Sequence, residues 1–369
     1  MSQPNIPLSD SSGLLHKRVE KDDQDRDYIS RLYAEAANSL VEALTAKHER
    51  QQKRSLAWLR SSFGRSVGSA VEAKQIRGGI SQLFEQFRNG AIAESVAKFK
   101  SKTEQALDLK MKASVRQPKT SFTDFHRNRP IGDWAEDLIQ RELPSILGDA
   151  CILGCGAEAS EEPIEIKPAQ WAEEQKELDE WGKRPDFVLF SSNARPAEFP
   201  PEFRKLRANA QSDTIRMACA AIEVRSSRRL LQQFLEHHKG KPEKGLSFAV
   251  KVEDLRLVAR WIIKNGIRHF YMQVCLDAVY AIPFERALQL IKEKKYLPKK
   301  LERNQGKSTI YIPLSEGFRI GDVIETKYEP AAQFMADGRL ISPEAPIVGS
   351  GKIKATMGLD DLRKTLALD

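Results

Sequence analysis

The chain is poor in the residues that staple small secreted or metal-bound folds. Only four cysteines occur among 369 residues, Cys151, Cys155, Cys219 and Cys275, too few for a disulfide framework at this length. Cys151 and Cys155 have no second Cys or His pair nearby at zinc spacing, which excludes the usual zinc modules. Cys219 and Cys275 lie in apolar runs and are expected as small core residues. No apolar run approaches the roughly 18 residues of a membrane helix, and no continuous apolar h-region opens the sequence. A cytoplasmic protein with no membrane segment is expected.

What the chain has in quantity is charge, unevenly placed. It carries 59 Lys and Arg against 51 Asp and Glu, for a net charge of +8, with 41% hydrophobic residues, an ordinary globular balance. Residues 47–120 hold 16 basic side chains against 6 acids, and residues 286–308 hold 8 against 2. Residues 156–183 reverse the sign, with 9 acids and 3 lysines. Segregation of this kind suits a polyanion bound by the basic regions, with the acidic insertion facing solvent. Solvated helix faces would give each basic block the same composition.

The pattern divides the sequence into four parts. Residues 1–24 are polar, with Pro4 and Pro7, and are expected to start flexibly. Residues 25–120 read as a basic helical region, with an apolar stripe at Ile29, Leu32, Tyr33, Ala36, Leu40 and Leu44. From residue 130 to 320 helices alternate with short strands. A helix is expected over 133–143, stopped by Pro144, and strands near 151–153, 186–190, 218–224 and 247–252. A helix over 253–264 and a strand over 269–276 follow. Residues 321–369 form a C-terminal extension with short strands.

Two acids stand out. Asp186 opens the run Pro185-Asp186-Phe187-Val188-Leu189-Phe190, and 37 positions later Glu223 interrupts Ala220-Ala221-Ile222-Glu223-Val224-Arg225. An unpaired carboxylate buried on an apolar strand costs several kcal/mol, so each needs a reason to be there. Strands lie about 5 Å apart, and facing carboxylates can share one hard cation at about 2.1 Å, the oxygen distance of Mg²⁺. A Mg²⁺ site for phosphodiester hydrolysis is the chemistry this pair suits.

Pro-Asp, a gap and then Glu-x-basic resembles the PD-(D/E)XK nuclease superfamily, and the surrounding residues look more narrowly like the AccI group of type II restriction endonucleases. The resemblance spans roughly residues 130–320. It includes Gly132-Asp133-Trp134-Ala135-Glu136, Ser247-Phe248-Ala249-Val250-Lys251-Val252-Glu253-Asp254-Leu255, Arg260-Trp261, Tyr271-Met272-Gln273-Val274 with Asp277, and Tyr311-Ile312-Pro313-Leu314. It implies an α/β restriction-endonuclease-like core, a central mixed sheet flanked by helices, with the helical N-terminal region added. It also implies Mg²⁺-dependent cleavage of double-stranded DNA by a homodimer at a degenerate six-base-pair palindrome of the GTMKAC type. By resemblance Asp186 and Glu223 hold the metal, and Glu136 completes its shell or orients its water.

At the superfamily's lysine position this chain has Arg225. Arginine is always charged and grips oxyanions in a fork, but it does not give up a proton at neutral pH. An electrostatic role survives, a proton-transfer role does not, and Lys251 on a later apolar strand is an alternative ammonium. Plainer readings stand beside these. Arg225 shares the face of Glu223 and can be its salt-bridge partner, Lys251 can lie on an exposed strand face, and Asp133-x-x-Glu136 is also a helix capping box. A structure-selective repair or junction-resolving nuclease, or a DNA-binding protein without catalysis, would share the same core.

Overall fold

The computed structural model describes residues 11–66, 89–104, 122–148, 150–156, 168–192, 196, 198–200, 202–227, 231, 246–298, 309–328, 331–334, 340–344, 347–348 and 351–366. Its centre is a seven-stranded mixed sheet. In spatial order the strands are β1 (Cys151–Gly154), β2 (Phe187–Phe190), β3 (Ala220–Ser226), β5 (Arg268–Val274), β6 (Ala278–Pro283), β8 (Phe318–Ile324) and β13 (Lys352–Ala355). Every neighbouring pair is antiparallel except β3 and β5. A parallel pair needs a long crossover, and here it contains helix α6 (Val252–Asn265).

Alternation along the strands sorts side chains between two cores. On one face Val188, Phe190, Ala221, Tyr271 and Ile282 pack with α6, with α7 (Phe284–Lys292) and with the apolar stripe of α1 (Ser11–Ser66). On the other, Phe187, Leu189, Ile222, Val224 and Met272 pack under Leu138, Ile139 and Leu143 of α3 (Phe122–Ile146), with Leu362 of α8 (Leu359–Thr365). The result is the α/β architecture the sequence implies, a central sheet flanked by helices with an N-terminal helix laid alongside.

Helix α1 is 56 residues long and already includes residues 11–24. It docks through Ile29, Leu32, Ala36, Leu40 and Leu44, at the helical spacing read in the sequence. Ion pairs Glu35–Lys292 and Glu42–Lys294, at 2.8 and 2.9 Å, line its edge. They are exposed, so burial of the stripe supplies most of the attachment. A second helical segment, α2 at 89–104, meets α1 where His48 stacks on Phe99 and bonds Ser95 Oγ at 3.0 Å.

Two expectations are corrected. Pro144 does not stop α3, which runs to Ile146. A proline removes its own N–H bond, but near a helix end the next residues still pair, and Leu147 N–H reaches the Leu143 carbonyl at 3.1 Å. The same helix starts at Phe122, so Asp133 lies in its interior and the capping-box explanation of Glu136 falls. Strand β4 (Ser247–Lys251) leaves the main sheet and pairs with β7 (Thr309–Pro313) in a two-stranded sheet. Beyond residue 320 the chain still builds the sheet, through the rest of β8 and through β13; β9 to β12, within 327–348, form two further antiparallel pairs.

Candidate active site

Asp186 stands immediately before β2. Its carbonyl accepts the Cys155 N–H at 2.9 Å, which fixes its backbone to the end of β1. The β2–β3 register pairs Phe187 with Ile222 and Val188 with Ala221, and one further step puts Asp186 across from Glu223. Asp186 Oδ2 accepts the backbone N–H of Val224 at 2.7 Å. Burial pushes the Asp186 carboxyl up to about 8, and the charges of Glu223 and Glu136 push in the same direction.

Glu223 is only 2% exposed. Burial alone would raise its pKa, but the Lys183 ammonium and the Arg225 guanidinium outweigh it and hold the carboxyl below the ordinary range. Glu223 Oε1 accepts from Lys183 Nζ, and an Arg225 guanidinium nitrogen lies 2.9 Å from the same oxygen. Both cations also reach Asp254 Oδ2, each at 3.3 Å. Glu223 Oε2 is buried and has no hydrogen-bond partner among the described residues.

Local backbone geometry delivers Lys183. Helix α4 (Pro168–Trp181) ends at Gly182, whose φ of 83° favours glycine and where a Cβ would collide with the Leu257 carbonyl oxygen on α6. Lys183 N–H then bonds that same carbonyl at 3.0 Å, which sets its side chain over the first turn of α6, where Asp254 lies. Behind Glu223, at its register partner on β5, is Tyr271, with His269 two residues earlier. Both are fully buried with their polar atoms unpartnered among the described residues. Burial lowers the His269 pKa to about 4 and raises that of Tyr271 well above its ordinary value, so both are neutral at pH 7.

The structure thus brings Asp186, Glu223 and Arg225 into one cluster. Glu136, on α3, joins it from the opposite layer: it feels the charge of Glu223 and acts on Asp186, and burial followed by Asp133 raises its own pKa. Lys251 stands at the margin, exposed at the end of β4 and at the N-cap of α6. Loss of solvent lowers its pKa, against the pull of Asp254. Sequence reasoning missed Lys183 and Asp254. Lys183 lies three positions before Asp186 in a segment with no periodicity, and Asp254 reads as an ordinary acid in a helix first turn.

Among the described residues no group of three or more His, Cys, Asp or Glu is arranged to hold a metal ion. Two facing carboxylates, one with an unpartnered buried oxygen, nonetheless fit Mg²⁺, which is commonly bound by one or two carboxylates and keeps several waters. No helix among the described residues is long and apolar enough to cross a membrane.

Comparison with protein families gives a match to the family described as AccI restriction endonuclease, over residues 100–250 and 243–369. Comparison with curated proteins and with solved structures gave no match.

Proposed function

The chain belongs to the AccI restriction endonuclease family, site-specific deoxyribonucleases of the type II class, and we propose that it cleaves duplex DNA with Mg²⁺ held by Asp186 and Glu223. The observation that carries this reading is the pair itself: two facing carboxylates, one forced toward protonation by burial and by its neighbours, the other with a buried oxygen left unbonded. Bound there, Mg²⁺ would lower the pKa of its water and neutralise charge on the scissile phosphate.

The chain's own groups take the remaining work. Glu136 receives or orients the attacking water from the α3 side. Lys183 and Arg225 supply positive charge where the phosphorane develops, which is worth most in a site shielded from water. Lys183 is also an ammonium; burial pulls its pKa down, but the charges of Glu223 and Asp254 outweigh that and raise it, so Lys183, like Arg225, serves as fixed positive charge. Lys251, at the rim, contacts a phosphate of the bound strand. The order α3, β1, β2, β3, α6, β5 supports a PD-(D/E)XK core.

One such centre cuts one strand, so double-strand cleavage calls for a two-fold homodimer reading a near-palindrome, of the degenerate GTMKAC type by family analogy. A DNA substrate supports a cytoplasmic location for the enzyme. Incubating purified protein with plasmid DNA and Mg²⁺ tests the proposal. Discrete fragments support it; cutting confined to branched junctions indicates a repair nuclease, and the absence of any product a non-catalytic binder.

A further inference from the structure

Beside the acid cluster, Arg204 stands without a carboxylate partner among the described residues. It lies in the 3-10 turn Phe203–Lys205, after β2 and before α5 (Ala208–Ile215). Its Cζ is 5.7 Å from the centre of the Phe187 ring, next to Asp186. The turn is fixed before any ligand arrives: the Arg204 carbonyl accepts from Arg184 at 3.4 Å, the Leu206 carbonyl accepts from the same nitrogen at 2.9 Å, and the Phe203 carbonyl accepts from Gln211 at 2.7 Å.

The sequence leaves room for this side chain at one position. Gly154, paired with Phe187 in the β1–β2 register, lies under the guanidinium, and a Cβ there would overlap Arg204 Nε. Arg204 crosses β1 through that gap and reaches the layer of α3, where its charge acts on Glu136. A cavity of about 380 Å³ opens at this point, lined by Gln140, Gly154, Glu202, Arg204 and Lys205 among others. Gln140 lies one helical turn beyond Glu136 on the same face of α3.

We infer that this cavity is an anion pocket for a phosphodiester of the bound DNA next to the one that is cut, with Arg204 as its gripping group and Gly154 as the residue that lets Arg204 reach it. The inference rests on the nuclease reading above. A bare packing role accounts for the ring contact. It does not account for a preformed turn that presents a guanidinium without an ion pair to a cavity whose charged lining is Arg204 and Lys205 against Glu202, where cation–π stacking leaves the forked N–H groups free for an oxyanion.

The experiment measures binding of a random-sequence duplex without divalent metal across a salt series, for wild type, Arg204→Gln, Arg204→Lys, Gly154→Ala and the double variant Arg204→Gln with Gly154→Ala. Removing one phosphate contact reduces the slope of log affinity against log salt by about 0.9. Arg204→Gln and Gly154→Ala should each show that reduction, the double variant no more than either alone, and Arg204→Lys should keep the wild-type slope. An unchanged slope in Arg204→Gln overturns the pocket, whether or not the enzyme cuts. Loss of slope in Arg204→Gln with a wild type that never cuts DNA leaves the pocket standing and overturns the nuclease reading. Absence of duplex binding by the wild type overturns both. Should Gly154→Ala fail to fold, the Gln and Lys variants at 204 decide the matter.

Discussion

Asp186 Oδ2 accepts the backbone N–H of Val224 at 2.7 Å, so the first acid of the site is anchored to the residue that follows the second. Side chain and sheet register are thereby coupled: a slip of β2 against β3 would break this bond and separate the carboxylates together.

The coupling sets a pH dependence. Asp186 is held up to about 8 in the folded protein, against about 3.9 in an unfolded chain. A raised folded pKa contributes stability that is complete below the unfolded value and is lost as pH rises through the folded one. Metal-free protein should therefore lose stability between about pH 4 and 8, and Asp186→Asn should lessen that loss and melt higher than wild type at pH 8, by at least about 1 kcal/mol. Mg²⁺ should stabilise wild type more at pH 8 than at pH 5. Thermal melts with and without Mg²⁺ check this; a wild type and Asp186→Asn pair separated by the same interval at every pH would count against it.

Cleavage rates separate the cations. Lys183→Ala should lose about 10²-fold or more in single-turnover rate while duplex binding persists, because a charge aimed at the developing phosphate is worth several kcal/mol in a shielded site. Arg225→Ala should also lose orders of magnitude, and Arg225→Lys should retain measurable activity. Lys251→Ala, at the rim, should cost about tenfold or less, the scale of a single exposed phosphate contact. A dead Lys251→Ala with an active Lys183→Ala would move the ammonium role to β4.

The parts of the site that were legible in the sequence are those written in alternation. Asp186 and Glu223 are visible because each breaks an apolar strand, and α6 is visible from Leu255, Val258 and Ile262, with Gly266 closing it in the left-handed region at φ 72°. Lys183 was not, because only the Gly182 turn over α6 brings it to Glu223. Arg204 was not, because its meaning lies in a glycine 50 positions earlier. The departure of β4 from the main sheet has a trace in its burial: Phe248 and Val250 are buried while their neighbours are partly open, as in a half-covered pair, whereas β2 is buried throughout.

The basic blocks divide in the same way. Lys292, Lys294 and Lys295 of the second block pair with Glu35, Glu42 and Glu316 at 2.6 to 2.9 Å, while Lys299, Lys300 and Arg303 lie outside the described residues. Replacing those three by Ala should flatten the salt dependence of DNA affinity by about 0.9 for each phosphate they neutralise, and Lys292→Ala should leave it unchanged. The reverse result would assign the DNA contact to the residues that pair with α1.

The central claim is that Asp186 and Glu223 form a metal-dependent centre for cutting DNA. Its most direct test is digestion of plasmid DNA in Mg²⁺ by wild type, Asp186→Asn and Glu223→Gln, with duplex binding measured in parallel in Ca²⁺. Discrete fragments from wild type, at least about a 10³-fold loss in both variants and retained binding by both are expected. Near-normal cleavage by either variant would contradict the assignment.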